Sequence, residues 1–241
     1  MLPLLYRDLV PWYRLLDPYE DHLAEATSYK TNLLRVSQPD NATLLDLGAG
    51  AGNNAYHLVD RFTCTLVDLS PDMSQLSREL LPQCDHLLGD MRAVRLGRTF
   101  DAVLVHDAIM YMTNEADLRA AIQTAFVHTR PGGAALFAPD CVRETFRDHT
   151  EFFEANDDKR SMRGMEWSWD PNPQDDQCMA EYSFLLREGT EVESVHDRHV
   201  EGLFSRKTWI ERLEGVGYRV ELVSRPLDEE GQFDEVFLCV R

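Results

Sequence analysis

The run Leu44-Leu45-Asp46-Leu47-Gly48-Ala49-Gly50-Ala51-Gly52 holds the densest chemical information in the chain. A short apolar run ends next to a carboxylate, and three glycines follow at alternate positions. Glycines at a strand-to-helix turn let a ligand lie close against the backbone. A dinucleotide fingerprint, G-x-G-x-x-G from Gly48, would need glycine where Asn53 stands. A carboxylate just ahead of the turn repels a pyrophosphate but attracts a cationic amino group. Asp68 closes the second apolar run, eighteen residues beyond Gly50. That is where nucleotide-binding α/β folds keep the acidic residue that hydrogen-bonds a ribose. Gly89-Asp90-Met91 follows the third run and offers a carboxylate and a polarizable side chain, a fitting pair for an adenine amine and its ring face. Three acidic residues at three successive strand ends suit an uncharged nucleoside with a zwitterionic tail.

Such residues converge only if alternating strands and helices carry them to one edge of a sheet. Residues 1–40 read as helical, with Asp17-Pro18 as a start signal and Leu23, Ala26, Leu33 and Leu34 as an apolar stripe ending by Pro39. Strands are predicted at Thr43–Leu47, Phe62–Val67, 86–88, Phe100–Val105 and Ala134–Phe137. Helices are predicted from the glycine turn to about Arg61, from Ser70-Pro71 onward, and over 115–129. This alternation predicts a parallel sheet covered on both faces. The regularity fails between about 141 and 200. There Trp167–Gln177 reads as a loop, and Met179–Leu186 and Thr190–Val200 read as a hairpin about Arg187-Glu188-Gly189. A helix capped by Ser205 and ended by Gly215-Val216-Gly217 follows. Two last strands, 218–224 and 235–240, flank an acidic turn containing Asp228, Glu229, Glu230 and Gly231.

Composition limits the partners. The 241 residues carry 24 Lys+Arg against 42 Asp+Glu, a formal charge of −18, whereas nucleic-acid binding needs a cationic face. Anionic membranes are disfavoured for the same reason. The 44% hydrophobic content is enough for a full core, which excludes global disorder. No apolar run is long enough to span a bilayer. The N-terminal residues lack the features of a signal peptide. Cys64, Cys84, Cys141, Cys178 and Cys239 are odd in number and distant in sequence, as expected of reduced thiols in a cytoplasmic protein.

The ordered motifs resemble those of class I S-adenosylmethionine-dependent methyltransferases. Asp46–Gly52 is similar to the first motif, Val67-Asp68 to the second, and Gly89-Asp90-Met91 to the third. Arg130-Pro131-Gly132-Gly133 is similar to the turn before the fifth strand. The resemblance implies a Rossmann-like, doubly wound, mostly parallel seven-stranded sheet with helices on both faces and an inserted antiparallel hairpin or lid. It implies S-adenosyl-L-methionine as cofactor and S-adenosyl-L-homocysteine as its product. Asp46 would then lie near the methionine amino end, and Asp68 on the ribose hydroxyls. Asp90 and Met91 would bind the adenine, with Gly48, Gly50, Gly52 and Met73 completing the cofactor site. A looser likeness runs nearly end to end toward amino-sugar N,N-dimethyltransferases. It rests on Trp12-Tyr13 with Asp21–Ala26, Gly89–Arg98, Arg143–Phe146 and Asp197–Phe204. The chain departs from that pattern at His106–Tyr111, in place of a small-polar run, and at Ala138–Cys141, in place of an acidic-aromatic cluster.

Methyl transfer from a sulfonium is an in-line displacement, so alignment and exclusion of water carry most of the catalysis. An amine acceptor needs only to lose a proton at some stage, while a hydroxyl needs a base. His106, at the carboxyl end of the fourth strand, is the expected base, or else meets the cofactor through its backbone alone. Asp107 either orients it or is merely exposed. Tyr13 is expected either to close over the methionine or substrate or to pack in a lid helix, and Tyr111 to wall the pocket. Trp167 and Trp169 either line a pocket or anchor a loop. His196 and His199, three apart on a strand, would face opposite sides, which argues against a metal site. The resulting expectation is one domain, 1–241, with an N-terminal helical lid at 1–40 and a substrate-covering insertion at 141–204. It would methylate nitrogen or oxygen of a small polar metabolite, as a monomer or as a homodimer through the hairpin. A NAD-dependent oxidoreductase and a non-catalytic S-adenosylmethionine-binding module are the alternatives.

Overall fold

In the computed structural model, which describes residues 2–36, 42–226 and 233–241, each apolar run of the first half becomes a strand. β1 (Ala42–Leu47), β2 (Phe62–Asp68), β3 (Asp85–Leu88), β4 (Phe100–His106) and β5 (Thr129–Ala138) run parallel. β10 (Arg219–Pro226) and β11 (Phe233–Val240) complete the sheet antiparallel, in the order β10-β11-β5-β4-β1-β2-β3. The order reverses between β1 and β4. Ligands bind outside the carboxyl ends of strands at such a switch point, and Asp46 and His106 stand there.

Local signals set the helices. Ser70 Oγ accepts from Met73 N and Pro71 opens α4 (Pro71–Leu80). Asn114 caps α5 (Glu115–His128), Ser205 caps α6 (Arg206–Val216), and Gly217 ends α6 at a φ of 112°. The N-terminal segment forms α1 (Val10–Leu16) and α2 (Leu23–Val36), each preceded by a short 3-10 turn. After the glycine turn the helix is shorter than expected: α3 spans only Asn53–Tyr56, and irregular turns lead to Arg61. Two apolar layers cover the sheet. One joins Phe137, Phe237, Trp209 and Tyr218 beneath α5 and α6, and the other joins Tyr29, Leu33, Leu44 and Leu58 beneath α2.

The insertion is larger than a hairpin. A four-stranded antiparallel meander replaces it: β6 (His149–Asn156), β7 (Arg160–Trp169), β8 (Gln177–Glu188) and β9 (Glu191–Gly202). The β8–β9 turn lies at the expected place, with Gly189 at a φ of 60°. β6 and β7 escaped the sequence reading because only one of their faces is covered. Phe153 and Met162 pack inward with Phe184 and with Leu5 and Leu9 of the N-terminal segment, while Phe152 is 77% exposed. Charges such as Glu154 and Arg163 pair on the outer face and hide the period-two pattern. Cys64 and Cys84, distant in sequence, meet at the start of the β2–β3 pairing, where Thr65 lies opposite Asp85. No helix among the described residues is long and apolar enough to cross a membrane. The acidic turn at 228–231 lies outside the described residues.

Candidate active site

A cavity of about 620 Å³ opens at the carboxyl ends of β1, β2 and β4. Asp46, Gly48, Gly50, Asp68, Met73, Asp90, Met91, His106 and Tyr13 all line it, so nine of the ten expected site residues converge. Gly52 does not. It has a φ of +81°, and a Cβ there would stand 2.7 Å from Ser77 Oγ, so it packs the turn against α4. Gly48 allows the closest approach: its φ is +84°, and a Cβ would lie 2.5 Å from that of Ala108 and 2.8 Å from Met91 Cε.

Asp68 fastens this turn. Its Oδ2 accepts from Gly50 N and its Oδ1 from Ser70 N, both at 2.7 Å. A carboxylate has about four acceptor sites, so two remain for hydroxyl donors. Burial pushes Asp46 up from 3.8 to about 7, opposed by His106 and reinforced by Asp68. Asp90 is less free than expected. The Arg92 guanidinium grips both its oxygens at 2.6–3.0 Å, holds its carboxyl below the usual range, and also bonds Asp117.

The N-terminal segment covers the turn: Arg14 donates to the carbonyls of Ala51 and Leu76, and Ser70 Oγ donates to that of Tyr6. A continuous polar chain then runs along the cavity wall. Tyr13 donates to Asp17 at 2.7 Å, and Asp17 meets His22 at 2.7 Å. His22 meets Glu25 at 2.7 Å, and Glu25 lies 3.5 Å from His106 Nε2. Asp107 lies 2.7 Å from the same nitrogen. Burial opposes charge on His22, but Asp17 and Glu25 push it up to about 10. Burial likewise opposes charge on His106, yet Asp107 and Glu25 hold its pKa well above the ordinary value. His106 is therefore a cation held between carboxylates, a state that works against the role of base expected for it. Tyr111, a wall residue as expected, bonds Tyr6 and His199. His199 is buried against Asp197, whereas the exposed His196 reaches Glu181 on the opposite face. Trp167 and Trp169 stack on each other at 4.6 Å, away from the cavity.

A family model described as a methyltransferase domain matches residues 44–133. The dTDP-3-amino-3,4,6-trideoxy-alpha-D-glucopyranose N,N-dimethyltransferase of Streptomyces venezuelae is 35% identical over 131 residues, 54% of this chain and 55% of its own length. The crystal structure of Streptomyces venezuelae DesVI superposes with a TM-score of 0.81 at 27% identity, over 97% of this chain and 95% of that one. Residues 44–133 thus match a methyltransferase domain, and over nearly its whole length the chain shares the fold of a solved Streptomyces venezuelae protein. A trans-aconitate 2-methyltransferase of Azoarcus sp. (strain BH72) is also similar, 33% identical over 104 residues, 42% of this chain and 40% of its own length. The chain spans about half the length of the curated relatives it matches first.

The cavity suits the family's cofactor. Its glycine turn leaves space in front of Gly50, where a Cβ would meet only Met73 Cε, at 3.6 Å. Asp46 and Asp68 place carboxyl acceptors on its wall, and Met91 offers an apolar face. Sequence reasoning missed Asp17, His22, Asn53 and Asn54, and noted Glu25 only within a stretch of resemblance. Asn54 Nδ2 bonds Glu25 at 2.8 Å and lies 3.1 Å from His106 Nδ1, a contact created by the fold across 52 positions. A D-H-x-x-E pattern at Asp21–Glu25 was the one available signal.

Calorimetry with S-adenosylhomocysteine is expected to find Asp68→Ala weakened by ~1–3 kcal/mol, the scale of lost hydrogen bonds to a charged group. Unchanged affinity would remove Asp68 from the ribose site. Asp46 gains its charge as pH rises through about 7, so the affinity of the cationic methionine end should rise through that window and stay flat in Asp46→Asn. In the unliganded protein the same raised pKa makes ionised Asp46 a cost to folding, so its contribution to stability falls from about pH 4 to about 7. A wild-type affinity that does not change across that window would contradict this role.

Proposed function

We propose that this chain transfers the methyl group of S-adenosylmethionine to the nitrogen of an amine on a small polar metabolite. The carrying observation is the charge at the far end of the cofactor cavity. There five carboxyl groups, Asp17, Glu25, Asp107, Asp140 and Glu201, stand against the imidazolium groups of His22 and His106 and the Arg198 guanidinium. Such a wall attracts an ammonium and repels an anionic acceptor. The similarity to dTDP-amino-sugar N,N-dimethyltransferases supports the same reading and makes an amino sugar the favoured acceptor.

The cofactor supplies an already activated methyl group on a sulfonium. The protein's residues bind, align and shield. Asp68 and the glycine turn hold the nucleoside, and Asp46 faces the cationic tail. His106 and Glu25 fix Asp107 at the end of β4. Residues 2–36 and the inner face of the β6–β9 sheet serve as a lid that excludes water. Tyr6 and Tyr13 form its underside, Tyr111 of the segment after β4 bonds Tyr6, and burial keeps all three phenols neutral. On this reading Tyr13 positions the lid through Asp17 rather than exchanging a proton.

Methyl-labelled S-adenosylmethionine, offered with matched acceptors, tests the reading. Amino sugars should take label, while their N-acetyl and all-hydroxyl counterparts should not. Label on hydroxyl or carboxylate acceptors alone would contradict nitrogen as the target atom.

A further inference from the structure

We propose that the methyl acceptor is an amine whose body carries no phosphate, an unlinked amino sugar or its neutral glycoside, and that Glu181 sets this preference by occupying the cavity's most accessible cation, Arg198. The inference rests on the amine reading above and adds to it what the rest of the acceptor must lack.

Recognition of a phosphate or diphosphate needs cations with donors to spare. Among the described residues, four cations line the cofactor cavity: His22, Arg92, His106 and Arg198. Each already faces a carboxylate. His22 meets Asp17 and Glu25, Arg92 meets Asp90 and Asp117, and His106 meets Asp107 and Glu25. Arg198 meets Glu181. Asp68, on the same wall, binds backbone N–H groups instead of a cation, so the pairing leaves a carboxylate over rather than a cation.

Arg198 is the cation that an anionic acceptor would reach most readily. It keeps 57% of its side-chain surface accessible, against 40% for Arg92 and 14–15% for the two imidazoles. Strand register withholds it, because Glu181 on β8 stands directly opposite Arg198 on β9. Arg198 Nε donates to Glu181 Oε1 at 2.5 Å and Nη2 reaches the same oxygen, while His196 Nε2 meets Oε2 at 2.5 Å. Carboxylate and phosphate compete for the same planar donor fork. The Glu181 side chain is only 12% exposed, so surrendering the guanidinium would leave a largely covered carboxylate with His196 as its remaining ion-pair partner. That exchange is costly. A cross-strand ion pair would support the sheet anywhere along the hairpin. This one stands where β9 borders the cavity, with Val200 beside it on the wall.

The consequence is chemical. In an amino sugar carried on a nucleoside diphosphate, the phosphates are joined to the same ring as the amine. Bringing that nitrogen to the sulfonium would bring the phosphates into a cavity whose cations are taken. An unlinked amine brings only the positive charge that the wall attracts.

Calorimetry with dTDP, on protein saturated with S-adenosylhomocysteine, tests this without any acceptor. Wild-type protein should show no saturable binding at millimolar dTDP. Glu181→Gln should release the guanidinium and tighten dTDP binding about tenfold or more, the scale of one charged hydrogen bond. Adding Arg198→Ala to Glu181→Gln should abolish the gain. S-adenosylhomocysteine affinity should stay within about twofold in Glu181→Gln, which also verifies its fold. Micromolar dTDP binding by the wild type, or no gain in Glu181→Gln, would overturn the proposal while leaving the amine reading intact. Wild-type protein that does not bind S-adenosylhomocysteine would instead overturn the methyltransferase reading itself.

Discussion

One carboxylate joins the parts of this site. Asp68 accepts the backbone N–H of Gly50 with one oxygen and that of Ser70 with the other. It thereby ties the turn after β1 to the loop after β2. The turn has no side chains of its own to hold it, since Gly48 and Gly50 sit at φ of +84° and +54°. Glycine lets the backbone come close to a ligand but contributes nothing that fixes it there. The anchoring must come from elsewhere, and a charge-assisted bond from a neighbouring strand end is an efficient source. Arg14 and Ser70 then fasten the N-terminal segment across the same turn, so the cover is built on the cradle.

The cofactor half of the site was legible because its residues are set by local geometry. A strand, a glycine turn and the next strand end stand at fixed distances along the chain. The register between β1 and β2, with Leu47 opposite Val67, brings their ends together without any long-range information. The His106 end of the cavity was not legible for the opposite reason. Glu25, Asn54 and His106 come from three separate segments, and no spacing relates them. Asp107 could be read as exposed, which by area it largely is, but its surface faces an internal cavity. Asp90 lines the cavity as expected, and its pairing with Arg92, a cation two residues on, was not marked by sequence spacing. The four-stranded meander was read as a hairpin and a loop because its outer face carries charges on strands that alternate correctly.

The charge of −18 takes on a different meaning in the structure. Much of it is solvated surface, which favours solubility. Another share lies inside: Asp17, Asp46, Asp68, Asp90 and Asp107 line the cofactor cavity beside the cations His22, Arg92, His106 and Arg198. Burying these carboxyl groups is tolerable because several are hydrogen-bonded, three (Asp17, Glu25 and Asp107) are paired with imidazolium, and Asp46 is held toward neutrality. The arrangement is one that a cationic ligand relieves and an anionic one aggravates.

The central claim is spatial: one cavity holds a nucleoside at the glycine turn and directs its sulfur toward the carboxylates beyond β4. A crystal structure of the complex with S-adenosylhomocysteine tests it most directly. The ribose hydroxyls should bond Asp68, the methionine ammonium should lie beside Asp46, and the sulfur should face the His106–Asp107 wall. A nucleoside seated elsewhere, or a sulfur turned away from that wall, would contradict it.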